Sequence, residues 1–312
     1  MKKLLLAIPF VLALVLLSYG LALADNGPHG GFAPATDACA GCHRAHTATQ
    51  AKLLLSSSTA LCQTCHGSTG TGADTNVIDG VYANRDLTTE PTAEGVAGRS
   101  LKGGGLTNAL MDTNDNGTAD GTSRAATSAH TFNGSSGTLW GNGTTGTGGT
   151  VALSCGNCHN PHGKAGTGGT ATYRILRPRP TGSGAAADVN VADEATKNYT
   201  IASTGADYWG ECYAVEGALT TWCAQCHTRY MAGSGSADTS SGDATFAYRH
   251  TSNASGMSCT DCHVAHGTAA QMGADSGAVA WPGGATAPSG NARSSLLRLD
   301  NRGTCYKCHA TP

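Results

Sequence analysis

Charged side chains make up only 13% of this 312-residue chain and aromatic ones 5%, and no long apolar run follows residue 24. An ordinary globular domain is roughly a quarter charged. So few large apolar side chains leave the chain without the means to build a core of its own. Nor is there an excess of basic residues, since 19 Lys and Arg face 21 Asp and Glu, which excludes a nucleic-acid-binding surface. The missing apolar runs exclude a stable membrane span in the mature chain. In place of all these stand 44 glycines and long tracts of Gly, Ser and Thr.

The one long apolar stretch lies at the start. Residues 1–24 combine a basic pair, Lys2 and Lys3, a Leu/Val/Ala-rich run and a small-x-small end at Ala22-Leu23-Ala24, the pattern of a secretory signal peptide. The mature chain is expected to begin at Asp25 and to carry 17 basic against 21 acidic residues. An uncleaved membrane anchor is the alternative, which the Ala-x-Ala end disfavours. The first cysteine, Cys39, stands well beyond the cleavage point, so lipid anchoring is not indicated.

Twelve of the 13 cysteines fall in six copies of one pattern, Cys-x-x-Cys-His. The copies are Cys39-Cys42-His43, Cys62-Cys65-His66, Cys155-Cys158-His159, Cys223-Cys226-His227, Cys259-Cys262-His263 and Cys305-Cys308-His309. This is the spacing of c-type haem attachment. Two thiols on one helical turn each form a thioether to a haem vinyl group, and the adjoining imidazole becomes the proximal iron ligand. Six motifs imply six covalent haems. Zinc ribbons also pair Cys-x-x-Cys motifs, but a histidine straight after all six pairs, together with export, argues against them. Cysteines at i and i+3 also make poor disulfides. The thirteenth, Cys212, reads as a buried thiol, with an intersubunit disulfide as the minority alternative.

The remaining histidines reveal a larger repeat. The first, third and fifth motifs extend to Cys-x-x-Cys-His-x-x-His through His46, His162 and His266, and each has one more histidine upstream, His29, His130 and His250. Leucine-rich clusters recur between the motifs of each pair, at Lys52–Leu55, Tyr173–Arg177 and Leu296–Leu299. The chain is therefore expected to be one hexahaem domain, residues 25–312, made of three two-haem units at about 25–66, 130–227 and 250–312, with a haem-free insertion at 67–129.

Twelve histidines for six irons leave none spare, which points to bis-histidine ligation with His29, His46, His130, His162, His250 and His266 as distal ligands. Methionines hold no repeated position relative to the motifs. On a short helix His43 and His46 would point to one side, so His46, and by the same reasoning His162 and His266, is expected to serve a different haem from the one its own motif attaches.

Two long segments, 67–129 and 163–222, read as surface loops with short strands and turns. Within the first, Asp112, Asn114, Asn116 and Asp120 stand at the alternate positions of a short Ca2+ loop, without the terminal glutamate of an EF-hand; an Asx-rich turn is the alternative. Asn116, Asn133, Asn142, Asn198 and Asn253 open Asn-x-Ser/Thr sequons, relevant only in a host that glycosylates secreted proteins.

The fold class expected is a multihaem cytochrome c: mostly coil, short α-helices around the motifs and few short strands, organised around a linear haem chain. The activity expected is electron transfer rather than enzymatic catalysis. A multihaem reductase needs one iron with an exchangeable position, and nothing here marks one; a monomeric periplasmic or cell-surface carrier is a further alternative. The alternation of extended and simple motifs, Cys155-Gly-Asn-Cys-His-Asn-Pro-His-Gly163, Tyr173-Arg-Ile-Leu176, Trp222 before the fourth motif and a last motif near residue 312 resemble the OmcS-type hexahaem nanowire cytochromes. That resemblance implies a secreted protein that polymerises head to tail into an extracellular filament with a continuous haem chain, stacked and T-shaped pairs alternating. It also implies that His46 ligates a haem of the neighbouring subunit. The other expected partners are redox proteins and extracellular electron acceptors, at the cell surface or beyond it after export across the inner membrane.

With so little apolar side chain available, the haem-free polypeptide is expected to remain unfolded. Far-UV circular dichroism and protease resistance of the haem-free chain test this, and a match to the holoprotein would contradict it.

Overall fold

The computed structural model describes residues 37–67, 73, 75–82, 101, 103–111, 124–139, 142, 149–163, 172–191, 216–228, 259–273 and 295–303. The signal segment, His29, the four candidate calcium ligands, Cys212, His250 and the sixth motif with Cys305, Cys308 and His309 lie outside the described residues. Most of what is described is coil and turn, punctuated by helices α1 (Asp37–Ala40), α2 (Ser58–His66), α3 (Cys155–Cys158), α4 (Glu216–Cys223) and α5 (Cys259–Cys262). Each includes at least one motif cysteine, because a helical turn is what brings thiols at i and i+3 to one side. Odd motifs use helices of four residues, whereas α2 and α4, leading into the second and fourth motifs, have nine and eight. In α3 the Asn157 carboxamide fixes the start: its Oδ1 accepts from Ser154 N at 2.7 Å and its Nδ2 donates to the Thr181 carbonyl at 2.9 Å.

No odd-motif helix continues past its second cysteine. His43, His159 and His263 instead pair their backbones, antiparallel, with Leu54, Leu176 and Leu297. The expected helical face shared by His43 and His46 is therefore absent, since α1 ends at Ala40 and His46 sits in a separate turn.

What pulls the chain out of the helix is a clip that occurs three times. Lys52-Leu53, Arg174-Ile175 and Ser295-Leu296 are consecutive residues with φ between 47° and 63°, all non-glycine. Left-handed conformations cost such residues of order 1–3 kcal/mol, highest for a branched side chain like Ile175, and persist only where surrounding contacts impose them. The contacts repeat too. Arg44, Asn160 and Val264 donate their N–H groups to the carbonyls of Leu53, Ile175 and Leu296 at 2.8, 2.8 and 2.9 Å. Leu55, Arg177 and Arg298 return the bond to the carbonyls of Cys42, Cys158 and Cys262 at 3.2, 2.7 and 3.0 Å.

Among the described residues, eight strands of two or three residues form four antiparallel pairs: β1 (Thr75–Asn76) with β2 (Val81–Tyr82), β3 (Asn108–Ala109) with β4 (Arg124–Ala125), β5 (Ser128–Ala129) with β8 (Gly267–Thr268), and β6 (Ser136–Thr138) with β7 (Thr150–Ala152). The β5–β8 pair joins the segment before the third motif to the tail of the fifth. Buried apolar side chains gather in two small clusters, Ala109, Met111, Val264 and Ala269 with Leu296 against them, and Leu176, Val191 and Leu219 with Tyr173 and Trp222 against them. Trp222 Nε1 also donates to the Arg177 carbonyl at 2.6 Å, so the second clip is tied to the fourth motif. Among the described residues no helix is long and apolar enough to cross a membrane.

A glycine run, Gly103–Gly105, admits the fifth motif's tail. Gly104 has φ +70°, and a Cβ there would collide with the Gly267 carbonyl oxygen; His266 N donates to the Gly103 carbonyl at 2.7 Å. Gly104→Ala is expected to cost about 1–3 kcal/mol and to displace His266. Thermal denaturation of the holoprotein checks this, an unchanged midpoint being the contrary result.

Candidate haem-binding site

A histidine that binds iron needs one ring nitrogen free and the other held. At the odd motifs the clip provides the hold. His43, His159 and His263 direct Nδ1 at the carbonyls of Lys52, Arg174 and Ser295, at 2.8, 2.8 and 3.0 Å, from residues nine, 15 and 32 positions downstream. A carbonyl oxygen only accepts, so each Nδ1 carries the proton and each Nε2 presents its lone pair. Upstream, His43, His159, His227 and His263 donate their backbone N–H to the carbonyl of their motif's first cysteine at 2.8–3.0 Å, which fixes ring against thiols.

A guanidinium completes each odd motif. Arg177 Nε donates to the Gly156 carbonyl at 2.6 Å and Arg298 Nη1 to the Thr260 carbonyl at 2.8 Å, each capping a carbonyl at the helix C-terminal end. The first motif has Leu55 where those arginines stand. Arg44, from the other strand of its clip, caps the equivalent Ala40 carbonyl at 3.1 Å.

Thiols of neighbouring motifs approach one another. Burial raises Cys42, with Cys65 as the next cause. Cys62 is raised by Cys155 within hydrogen-bonding reach, and Cys155 falls to about 7 through the same contact. Burial pushes Cys158 up to about 12, and Cys226 adds to it. Hydrogen bonding to Cys259 raises Cys223, followed by burial. Neighbouring motifs thus meet alternately through second cysteines (first with second, third with fourth) and first cysteines (second with third, fourth with fifth). Helix α2 packs on α3 and α4 on α5, in keeping with that order.

Among the described residues three histidine pairs form, two of them joining different motifs. His43 stacks with His162, centroids 6.0 Å apart and planes 13° from parallel. His159 pairs with His266 at 6.3 Å and 57°, and His227 with His130 at 6.3 Å and 48°. Two imidazoles binding one iron from opposite faces have centroids roughly 6 Å apart, from two Fe–N bonds of about 2 Å and the ring dimensions. At this spacing each pair would be able to hold one haem iron between its two rings. Sites for zinc need three or four ligands, and among the described residues no group of three or more His, Cys, Asp or Glu is arranged to hold a metal.

His130 and His266 reach their partners from adjoining strands: His130 N donates to the His266 carbonyl at 2.9 Å, and His130 Nδ1 to the Ala265 carbonyl at 2.6 Å. Phe132 lies beside both rings, at 6.1 and 6.3 Å. Burial lowers the pKa of His130 and His159, and takes His266, with His159 next as a cause, to about 4. His263 is exposed as a residue, yet burial of its ring lowers its pKa too. Neutral imidazole is the ligating form.

Residues 32–71, which hold the first two motifs, match the family model described as Doubled CXXCH motif. The match supports a multihaem c-type cytochrome. No curated protein and no solved structure matches the chain. In a cytochrome of this kind the motif cysteines bind c-type haem covalently, and the protein transfers electrons.

Several features of this chain escape a reading of the sequence. The left-handed clips carry no common residue type, although the leucine clusters mark where they fall. The Gly103–Gly105 run was visible but had no partner to explain it. Of the two described sequons, Asn142 spends its Nδ2 on the Cys226 carbonyl at 2.7 Å, while Asn133 is exposed. His46 is exposed, and among the described residues no ring stands against it.

His162→Ala and His266→Ala are each expected to turn one low-spin haem high-spin, and the double variant two, with total haem unchanged. Electron paramagnetic resonance with a pyridine haemochrome assay reads both quantities; spectra identical to wild type would contradict the pairing.

Proposed function

We propose that this cytochrome holds six haems, each between two histidines, and polymerises into an extracellular filament for long-range electron transport. The observation that carries this reading is the register of the pairs. The first motif's His43 meets His162 of the third, and the third motif's His159 meets His266 of the fifth. One more step of the same size takes the fifth motif's His263 beyond the end of the repeat. The residue equivalent to His162 and His266 that is left over is His46, which stands exposed on the first motif. His46 of one subunit would then complete the haem at His263 of its neighbour.

Other features of the first motif suit a covered end. Leu53 is 51% exposed, whereas its counterpart Leu296 packs against Ala109, Met111, Val264 and Ala269. Cys39 and Cys42 are exposed, and the cysteines of motifs two to five are half-buried. A neighbouring subunit that supplied the next turn of the repeat would bury all of these together.

The haem iron, when bound, supplies reversible one-electron chemistry. The chain contributes the rest. Its clips keep Nδ1 protonated and Nε2 free, burial disfavours the charged form of His130, His159, His263 and His266, and its alternating helix contacts hold successive motifs next to one another. The second histidine of the third and fifth motifs binds in the unit before its own, so those spacings are locked by covalent attachment on one side and ligation on the other.

His46→Ala is expected to abolish the polymer and to leave one haem per subunit high-spin, as read by negative-stain electron microscopy and electron paramagnetic resonance. Wild-type protein that stays as discrete monomers with six low-spin haems would contradict the filament and favour a monomeric carrier.

A further inference from the structure

The second motif departs from the clip, and the departure has a chemical consequence. His66 directs Nδ1 not at a carbonyl but at the hydroxyl of Thr75, at 2.7 Å, from a residue nine positions downstream, the same separation at which Lys52 serves His43. Thr75 opens β1, which is anchored to the end of α2 where Val77 N donates to the His66 carbonyl at 2.9 Å. A strand side chain has thus replaced a left-handed backbone turn as the holder of a proximal imidazole.

The two acceptors are not equivalent. A peptide carbonyl is a strong, fixed acceptor, while a threonine hydroxyl is a weaker one that also carries a proton and rotates about its C–O bond. The partner of a ligating histidine's outer nitrogen sets how basic the ring is and how it is turned about the metal. A stronger acceptor makes the ring more electron-donating, which favours the ferric state and lowers the potential; a weaker one does the reverse.

We propose that Thr75 is the positioning residue of the second motif, and that its hydroxyl holds that haem at a higher potential than a clip carbonyl would give it. This rests on the proposed bis-histidine haem sites. It makes one station of the series adjustable through a single side chain, where the odd stations are held by main chain and are insensitive to substitution at the clip.

The test is redox titration of the holoprotein, followed spectroscopically, with electron paramagnetic resonance of the oxidised form. Thr75→Val keeps the β-branched shape and removes the acceptor, Thr75→Ser retains it, and Thr75→Asp supplies a stronger one. The expected result is one of the six transitions moving to higher potential in Thr75→Val, the same one moving lower in Thr75→Asp, and Thr75→Ser superimposing on wild type. Titrations of the Val and Asp variants that coincide with wild type would overturn the proposal, as would shifts of both in one direction, which would indicate packing alone. Haem content separates this from the reading beneath it: wild-type protein lacking bis-histidine haems refutes the haem sites themselves, whereas a full complement with unmoved transitions refutes only the role of Thr75.

Discussion

Each odd-motif imidazole gives its Nδ1 proton to a carbonyl aimed by two left-handed residues, and the remainder of the architecture depends on that bond. Without it the ring could turn, exchange tautomers or ligate through the wrong nitrogen. With it, Nε2 points in one direction from a ring already tethered to a Cys-x-x-Cys turn. The cost is backbone strain at six non-glycine residues. The return is a rigid ligand in a chain with almost no apolar core to supply rigidity by packing. On the proposed reading, small polar residues would suffice because thioethers and haem ligation would do the work of a hydrophobic interior.

The second constraint is translational. His162 stands against His43 and His266 against His159, so the third and fifth motifs each set a histidine against the odd motif before them. The first unit repeats the extended motif with His46, which is exposed, as is Leu53 of the same motif's clip; the proposed filament would use both.

Much of the site was legible in the sequence because covalent chemistry dictates it. Thioether attachment demands Cys-x-x-Cys-His, and the family match over the first two motifs agrees with c-type haem there; twelve imidazoles for six irons belong to the proposed function. The expectation of mostly coil with short helices and strands agrees with the fold, since Gly/Ser/Thr-rich segments have little to pack. What was not legible is whatever the backbone does without a compositional signature. Lys-Leu, Arg-Ile and Ser-Leu share no property that announces a left-handed pair, and the helix expected to carry His43 and His46 together gives way to the clip. Nor does one-dimensional order reveal that a histidine pairs with a motif more than a hundred residues away. That required the β5–β8 ladder and the clips to be seen in space.

The register of the pairs is the central claim, and a high-resolution electron cryo-microscopy structure of the haem-loaded protein tests it most directly. The account predicts that the haem attached at Cys155 and Cys158 lies between His159 and His266 of the same chain. An iron there ligated by any residue other than His266 opposite His159 would contradict it.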